Sequence, residues 1–242
     1  MSIRTSFFAE ARRLSVEDAL PVVYKEVDLR ENPDHPDHRF NLTVSPGEVV
    51  AIIGDEDSGV GDLGKWTLGL DHPPSGRVVV FGRNMATLSY DDLLLFRRQM
   101  GYLQVGDGLL QNLTLKDNVA LPLRYASDHR MSEVHERVEA LVRSFGLADD
   151  AGLRPAQANE ESRRRAAVAR AVALDPELLV MEAPFDGLTG RAARALLERA
   201  TMREDGSRRT VVITAQDLPP SVTSFLDRVV RVADGQAVEE SA

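Results

Sequence analysis

The stretch IIGDEDSGVGDLGKW, residues 52–66, has the spacing of a phosphate cradle and few of the groups such a cradle uses. In the pattern G-x-x-x-x-G-K-[ST], backbone N–H groups wrap the phosphates, the lysine reaches the β- and γ-phosphates, and the hydroxyl holds Mg²⁺. Here Gly54 and Gly59 occupy the two glycine positions with Ser58 between them, Val60 stands where the lysine belongs, and Gly61 stands where the hydroxyl belongs. Lys65 lies five residues past Val60, about 140° around a helix and roughly 7 Å farther along it, so it does not substitute. Asp55, Glu56, Asp57 and Asp62 would oppose a triphosphate, each close pair by about 1 kcal/mol at 4 Å in water and about 4 kcal/mol at a protein-surface dielectric. As cation ligands they are nearly consecutive rather than alternating as in a calcium loop, so they read as an exposed acidic turn. The glycines by themselves are also what any strand-to-helix turn requires.

The surrounding elements supply the context. Residues 22–29 and 39–44 read as strands joined by the turn-rich RENPDHPDH, and 47–54 as a buried strand ending in glycine, which suggests an antiparallel start. A helix over 62–70, a strand over 76–82 and a helix over 91–100 follow. From 114 to 174 the pattern is mostly helical; Val134, Val138, Leu141, Val142 and Phe145 fall at helical spacing between Ser132 and Gly146 as caps. Strand and helix alternate again at 176–182, 190–203, 209–214 and 227–232, which implies a parallel sheet covered by helices. The fold class is therefore α/β: a mixed sheet with an antiparallel β edge and an inserted helical subdomain at about 106–165, in a domain over 21–242 behind an N-terminal extension at 1–20.

Composition bounds the function. The 242 residues are 43% hydrophobic, enough for a full core, and the net charge of −9 argues against nucleic-acid binding, which needs clustered lysine and arginine. No apolar run approaches the roughly 20 residues that span a bilayer, and the first twenty residues lack the apolar stretch and cleavage site of a signal peptide, so a cytoplasmic protein is expected. There is no cysteine for disulfides or thiolate metal sites. His35 and His38 sit in a proline-rich turn without metal-ligand spacing, and no metal site is expected.

The order and spacing of SPGEVVAIIG, LGLDHPPSGRVVVFG, LLQNLTLKDNVALPLRY and RRRAAVARAVALDPELLVMEAP make the chain, from about 22 to 240, resemble an ATP-binding cassette (ABC) transporter ATPase. The third stretch looks most like the branch that energises MCE-type lipid transporters, including the system that maintains outer-membrane lipid asymmetry. The resemblance implies a P-loop fold and a set of working positions that carry altered residues. The Q-loop glutamine falls on Val105, beside Gln104. The signature falls on ANEES at 158–162, where Asn159, Glu160 and Glu161 replace the serine and glycines that approach a partner's γ-phosphate. The Walker B aspartate becomes Glu182 and the following glutamate Ala183; the D-loop aspartate falls on Thr189 and the switch histidine on Gln216. No adenine-stacking aromatic is found near Glu31.

These substitutions together predict a subunit without ATPase activity, with no cofactor on this chain and ATP and Mg²⁺ confined to a partner. Its partners, by the resemblance, are a transmembrane permease and a second nucleotide-binding domain, on the inner face of the cytoplasmic membrane. In 108–125 the residues Leu109, Leu110, Asn112, Leu113 and Val119 lie where the family receives the permease. Each apolar one reads equally as core, and as a group they are expected to form the docking surface. The run RRR at 163–165 is expected to be a solvated face. Two other readings remain open: an ATPase with a rearranged site using Gln104, Glu182 or Gln216, and a soluble adaptor detached from any transporter.

Overall fold

The computed structural model describes residues 20–29, 39–126, 130–233 and 236–240; Glu31, His35, His38 and nearly all of the N-terminal extension fall outside them. Two sheets form the frame. β1 (Val22–Val27), β2 (Phe40–Val44), β4 (Arg77–Val80) and the short β5 (Arg83–Asn84) make an antiparallel sheet in the order β2-β1-β4-β5. β3 (Val49–Ile53), β6 (Met100–Leu103), β7 (Leu178–Glu182), β8 (Thr210–Ala215), β9 (Arg228–Ala233) and β10 (Gln236–Glu240) make the other, ordered β10-β9-β3-β8-β7-β6. All its pairs are parallel except β10 on β9.

Successive side chains of a strand point to opposite faces, and β3 shows what this demands. Val49, Ala51 and Ile53 enter a core shared with helices, while Val50 and Ile52 enter a second core shared with the antiparallel sheet. A strand buried on both faces must be apolar throughout, which is why VVAII shows no alternation. The helical face carries α3 (Leu115–Ala126), α4 (Met131–Ser144), α5 (Glu160–Ala171) and α6 (Gly190–Thr201). α1 (Leu63–Thr67) packs Leu63 and Trp66 into the other core. α7 is a single turn, Pro220–Thr223.

The α/β architecture with an antiparallel edge and a run of inserted helices agrees with the pattern of the chain. Four local expectations do not; Ser132, expected to cap a helix, lies inside α4, whose N-cap is Arg130. The helix expected over 91–100 is α2, Tyr90–Phe96, capped by Ser89, and Met100 already begins β6, because pairing with β7 claims the residues that follow. The helix expected over 62–70 is shortened to α1, behind a 3₁₀ turn at Val60–Asp62. The arginines at 163–165 are not a solvated face: Arg164 is buried, Arg163 pairs with Asp107, and Arg165 pairs with Glu161.

Candidate functional site

A cleft of about 330 Å³ opens at the carboxyl ends of β3, β6, β7 and β8, the place where parallel α/β sheets bind ligands. It brings together Gly54, Val60, Gly61, Val105, Glu182, Ala183 and Gln216, which are far apart in sequence. The loop after β3 is held by its own bonds: Ser58 Oγ donates to the Asp55 carbonyl at 2.6 Å and accepts from Val60 N–H at 3.3 Å. Gly59 takes φ 78°, and a Cβ there would lie 2.1 Å from the Leu29 carbonyl oxygen, so the position admits only glycine. Val60 is buried in the core and Ser58 is turned into the loop, which leaves backbone rather than side chains facing the cleft here. Lys65 does not line the cleft: its ammonium donates to Asp62 at 2.9 Å, and that hydrogen bond raises its pKa.

Glu182 is the one buried carboxylate of the site, 5% exposed. Its Oε1 accepts from the Tyr102 hydroxyl at 2.7 Å and its Oε2 from Val105 N–H at 3.3 Å. Burial first, then the bond to Glu182 and its charge, hold the Tyr102 proton well above the usual tyrosine range. α1 approaches so closely that a Cβ on Gly64 would meet Glu182 Oε1 at 2.4 Å. Ala183, just past the end of β7, has φ 43°, and Thr214, Ala215, Asp186 and Asp217 complete the wall. Asp55, Glu56, Asp186 and Asp217 are exposed around the rim, and among the described residues no lysine or arginine lines the cleft.

Tested against magnesium, this donor set does not fit a protein-held centre. Gly61 and Val105 offer no side-chain oxygen, Glu182 is the single buried carboxylate, and among the described residues no group of three or more acids or histidines could hold a metal ion. For a nucleotide the cleft offers the loop backbone from Gly54 to Gly61 and the Gln216 amide.

Other positions singled out in the sequence lie elsewhere. Asn159 caps α5 by accepting from Ser162 N–H at 2.8 Å, and Glu160 lies against Gly187, whose added Cβ would be 2.1 Å from its carboxylate. Thr189 caps α6. None of these, nor Glu161, lines the cleft of its own chain. Leu109 and Val119 are buried and cannot form a docking surface, because the turn before α3 is pulled inward by Asn118. That buried side chain accepts from Leu110 N–H at 2.7 Å and donates to the Leu110 carbonyl at 3.1 Å. Leu110 and Asn112 remain exposed and Leu113 half-buried.

Tyr102, Asp186, Thr214 and Asp217 escaped the sequence reading. Tyr102 alone carried a signal, a polar-tipped ring alternating with Gly101 and Leu103 on a strand. A larger crevice of about 420 Å³ between α4 and α6, lined by Phe145, Arg165, Arg199 and Met202, contains none of these residues.

The model of the ABC transporter family matches residues 38–186 of this sequence. The chain belongs to the ABC transporter family. It is 30% identical over 204 residues to the "Methionine import ATP-binding protein MetN 2" of Pseudomonas syringae pv. tomato, covering 84% of this chain and 58% of that protein. It is 31% identical over 205 residues to the "Macrolide export ATP-binding/permease protein MacB" of Marinobacter nauticus, covering 84% of this chain and 31% of that protein. The chain thus spans about three-fifths of the length of the methionine-import relative it matches. Among solved structures it superposes with TM-score 0.78 and 26% identity on the dimeric post-hydrolysis state of the cassette MJ0796 bound to ADP and Pi, covering 91% of this chain and 98% of that one.

These similarities correct the expectation of a subunit without ATPase activity: the relatives are named as ATP-binding proteins, and the matching cassette holds the products of hydrolysis. Altered side chains at single motif positions leave the loop at Gly54–Gly61 and the shared fold in place. The lipid-transport branch likewise gains no support from relatives named for methionine import and macrolide export.

Proposed function

We propose that this chain is the ATP-binding subunit of an ABC transporter and hydrolyses ATP slowly in the cleft at Gly54–Gly61. The observation that carries the reading is the β3–loop–α1 turn, with Gly59 in its left-handed conformation, at the carboxyl ends of a parallel sheet that superposes on a cassette holding ADP and Pi. ATP would be held by backbone N–H groups of the loop, with the Gln216 amide available to orient water. A methyl group at Ala183 takes no proton, and loss of a general base slows a reaction by on the order of 10²–10⁴-fold. Titration of the purified chain with Mg-ATP, followed by a phosphate-release assay, tests this. Saturable binding with slow turnover supports it, and no binding at millimolar nucleotide refutes it.

The dimeric arrangement of the similar cassette supports pairing with a second nucleotide-binding domain, and the family supports a transmembrane permease as the other partner. Leu110, Asn112 and Leu113 are the residues we assign to the permease contact. Among the described residues no helix is long and apolar enough to cross a membrane, so attachment to the cytoplasmic face would come through that permease. The cargo is set by the permease. Purification from native membranes with the partners identified by mass spectrometry separates a small-solute importer from an exporter or a lipid carrier, and capture of no membrane protein would overturn the assignment.

A further inference from the structure

The loop after β6 joins two parts of the molecule. At one end Val105 N–H donates to Glu182 at the floor of the cleft. At the other, Arg170 of α5 donates to the carbonyls of Gly108 at 2.8 Å and Asp107 at 3.1 Å, while Arg163 pairs with the Asp107 carboxylate at 3.3 Å. Between these anchors the backbone turns sharply, with φ of 76°, 66° and 61° at Gly106, Asp107 and Gly108. The loop is therefore held from α5 by three bonds and from the cleft by one.

That single bond depends on where the Glu182 carboxylate sits. A glutamate side chain has three rotatable bonds, and Glu182 has no ion pair among the described residues. What holds Oε2 toward Val105 is the opposing bond donated by the Tyr102 hydroxyl to Oε1, with α1 at Gly64 closing the third side. A carboxylate this buried is stable only while its oxygens accept hydrogen bonds, so the two donors act as a pair.

We propose that Tyr102 is a positioning residue: its hydroxyl fixes Glu182 so that this carboxylate meets the ligand of the cleft and, through Val105, ties the 104–108 loop to it. The inference rests on the nucleotide reading of the cleft only for the identity of that ligand.

Hydrogen exchange on the intact chain, read by mass spectrometry on peptides covering 103–110, tests the positioning without nucleotide. Tyr102→Phe is expected to speed exchange there about tenfold, the worth of one hydrogen bond to a charged group, with β1 and β8 peptides unchanged. In a Glu182→Asp background, whose shorter side chain does not span both donors, adding Tyr102→Phe is expected to change exchange less than twofold. Equal acceleration in both backgrounds, no acceleration, or acceleration spread over all strands would overturn the proposal.

A fluorescence titration with Mg-ATP supplies the second readout. Tyr102→Phe is expected to shift the nucleotide affinity about threefold or more, and unchanged affinity would overturn the link to the ligand. If the wild-type chain binds no nucleotide, the nucleotide reading fails and the exchange result alone decides the role of Tyr102.

Discussion

The two ends of the parallel sheet handle charge in opposite ways. At the amino ends several charges at the strand starts are answered. Arg209, 2% exposed, donates to the carbonyls of Pro176 and Ala200 and to Asp175 at 2.7 Å; Glu48 pairs with Arg228; Asp227 accepts from Val49 N–H and pairs with Arg208. At the carboxyl ends the rim acids Asp55, Glu56, Asp186 and Asp217 make no ion pair among the described residues, and Glu182 is held by uncharged donors. Partnered charge at one end fastens strands to loops. Unanswered acidic charge around the cleft at the other leaves a negative field that the phosphates of a nucleotide must approach against.

If that division is right, substitutions at the two ends should separate stability from ligand chemistry. The largest effect is expected from Arg209→Ala, which leaves the carbonyls of Pro176, Ala200 and Met202 without their donor while Asp175 keeps Arg203, and which should lower unfolding free energy by about 3–5 kcal/mol in a urea titration. The nucleotide affinity of the molecules that remain folded should be unchanged; a shift in affinity would join the two ends.

Next is Leu109→Ala, expected to cost about 2–3 kcal/mol as a large-to-small change in the core. Its neighbour Leu110→Ser should cost less than about 0.5 kcal/mol yet weaken co-purification with a permease. A reversal of that order would return Leu109 to the docking surface and place Leu110 in the core.

At the cleft, Glu182→Gln keeps the shape and removes the charge, and ATP turnover is expected to fall on the order of tenfold or more while the urea midpoint moves little. Unchanged turnover would show that hydrolysis does not draw on this carboxylate. The smallest effects belong to the rim. Asp217→Asn or Glu56→Gln should each tighten Mg-ATP binding by about two- to fivefold at low salt, a gain that shrinks as ionic strength rises, since exposed charges are screened. Weaker binding on neutralisation would mean that the rim acids recruit the cation that accompanies the nucleotide.

Ala183→Glu restores a carboxylate beside the attacking position and is expected to raise turnover, read by the same phosphate-release assay. The left-handed backbone at Ala183 limits how well a longer side chain can be aimed, so the gain should stay below the 10⁴-fold upper range for a general base.

The sequence by itself determined the architecture and most of the cleft. The unbroken apolar runs of β3, β7 and β8 can be satisfied only by burial on both faces, which requires a parallel sheet between two layers. The spacing of Gly54 and Gly59 marks the turn, since the left-handed backbone at Gly59 and the approach of Leu29 exclude any side chain. Glu182, Ala183 and Gln216, next to those strand ends, were placed at the site by the resemblance to the family.

What only the tertiary structure decided is which of two similar neighbours faces inward. Leu109 and Leu110 have the same hydrophobicity; the buried Asn118 amide, reached across eight residues, chooses Leu109 for the core. The arginines at 163–165 differ only in their angle around α5, and the places of Asp107 and Glu161 decide that two of them are paired and one buried. The Tyr102–Glu182 bond joins residues eighty positions apart. No local periodicity reports such a contact, because it comes from the parallel pairing of β6 with β7, which sets Tyr102 against Val180 and carries its hydroxyl to the end of the next strand.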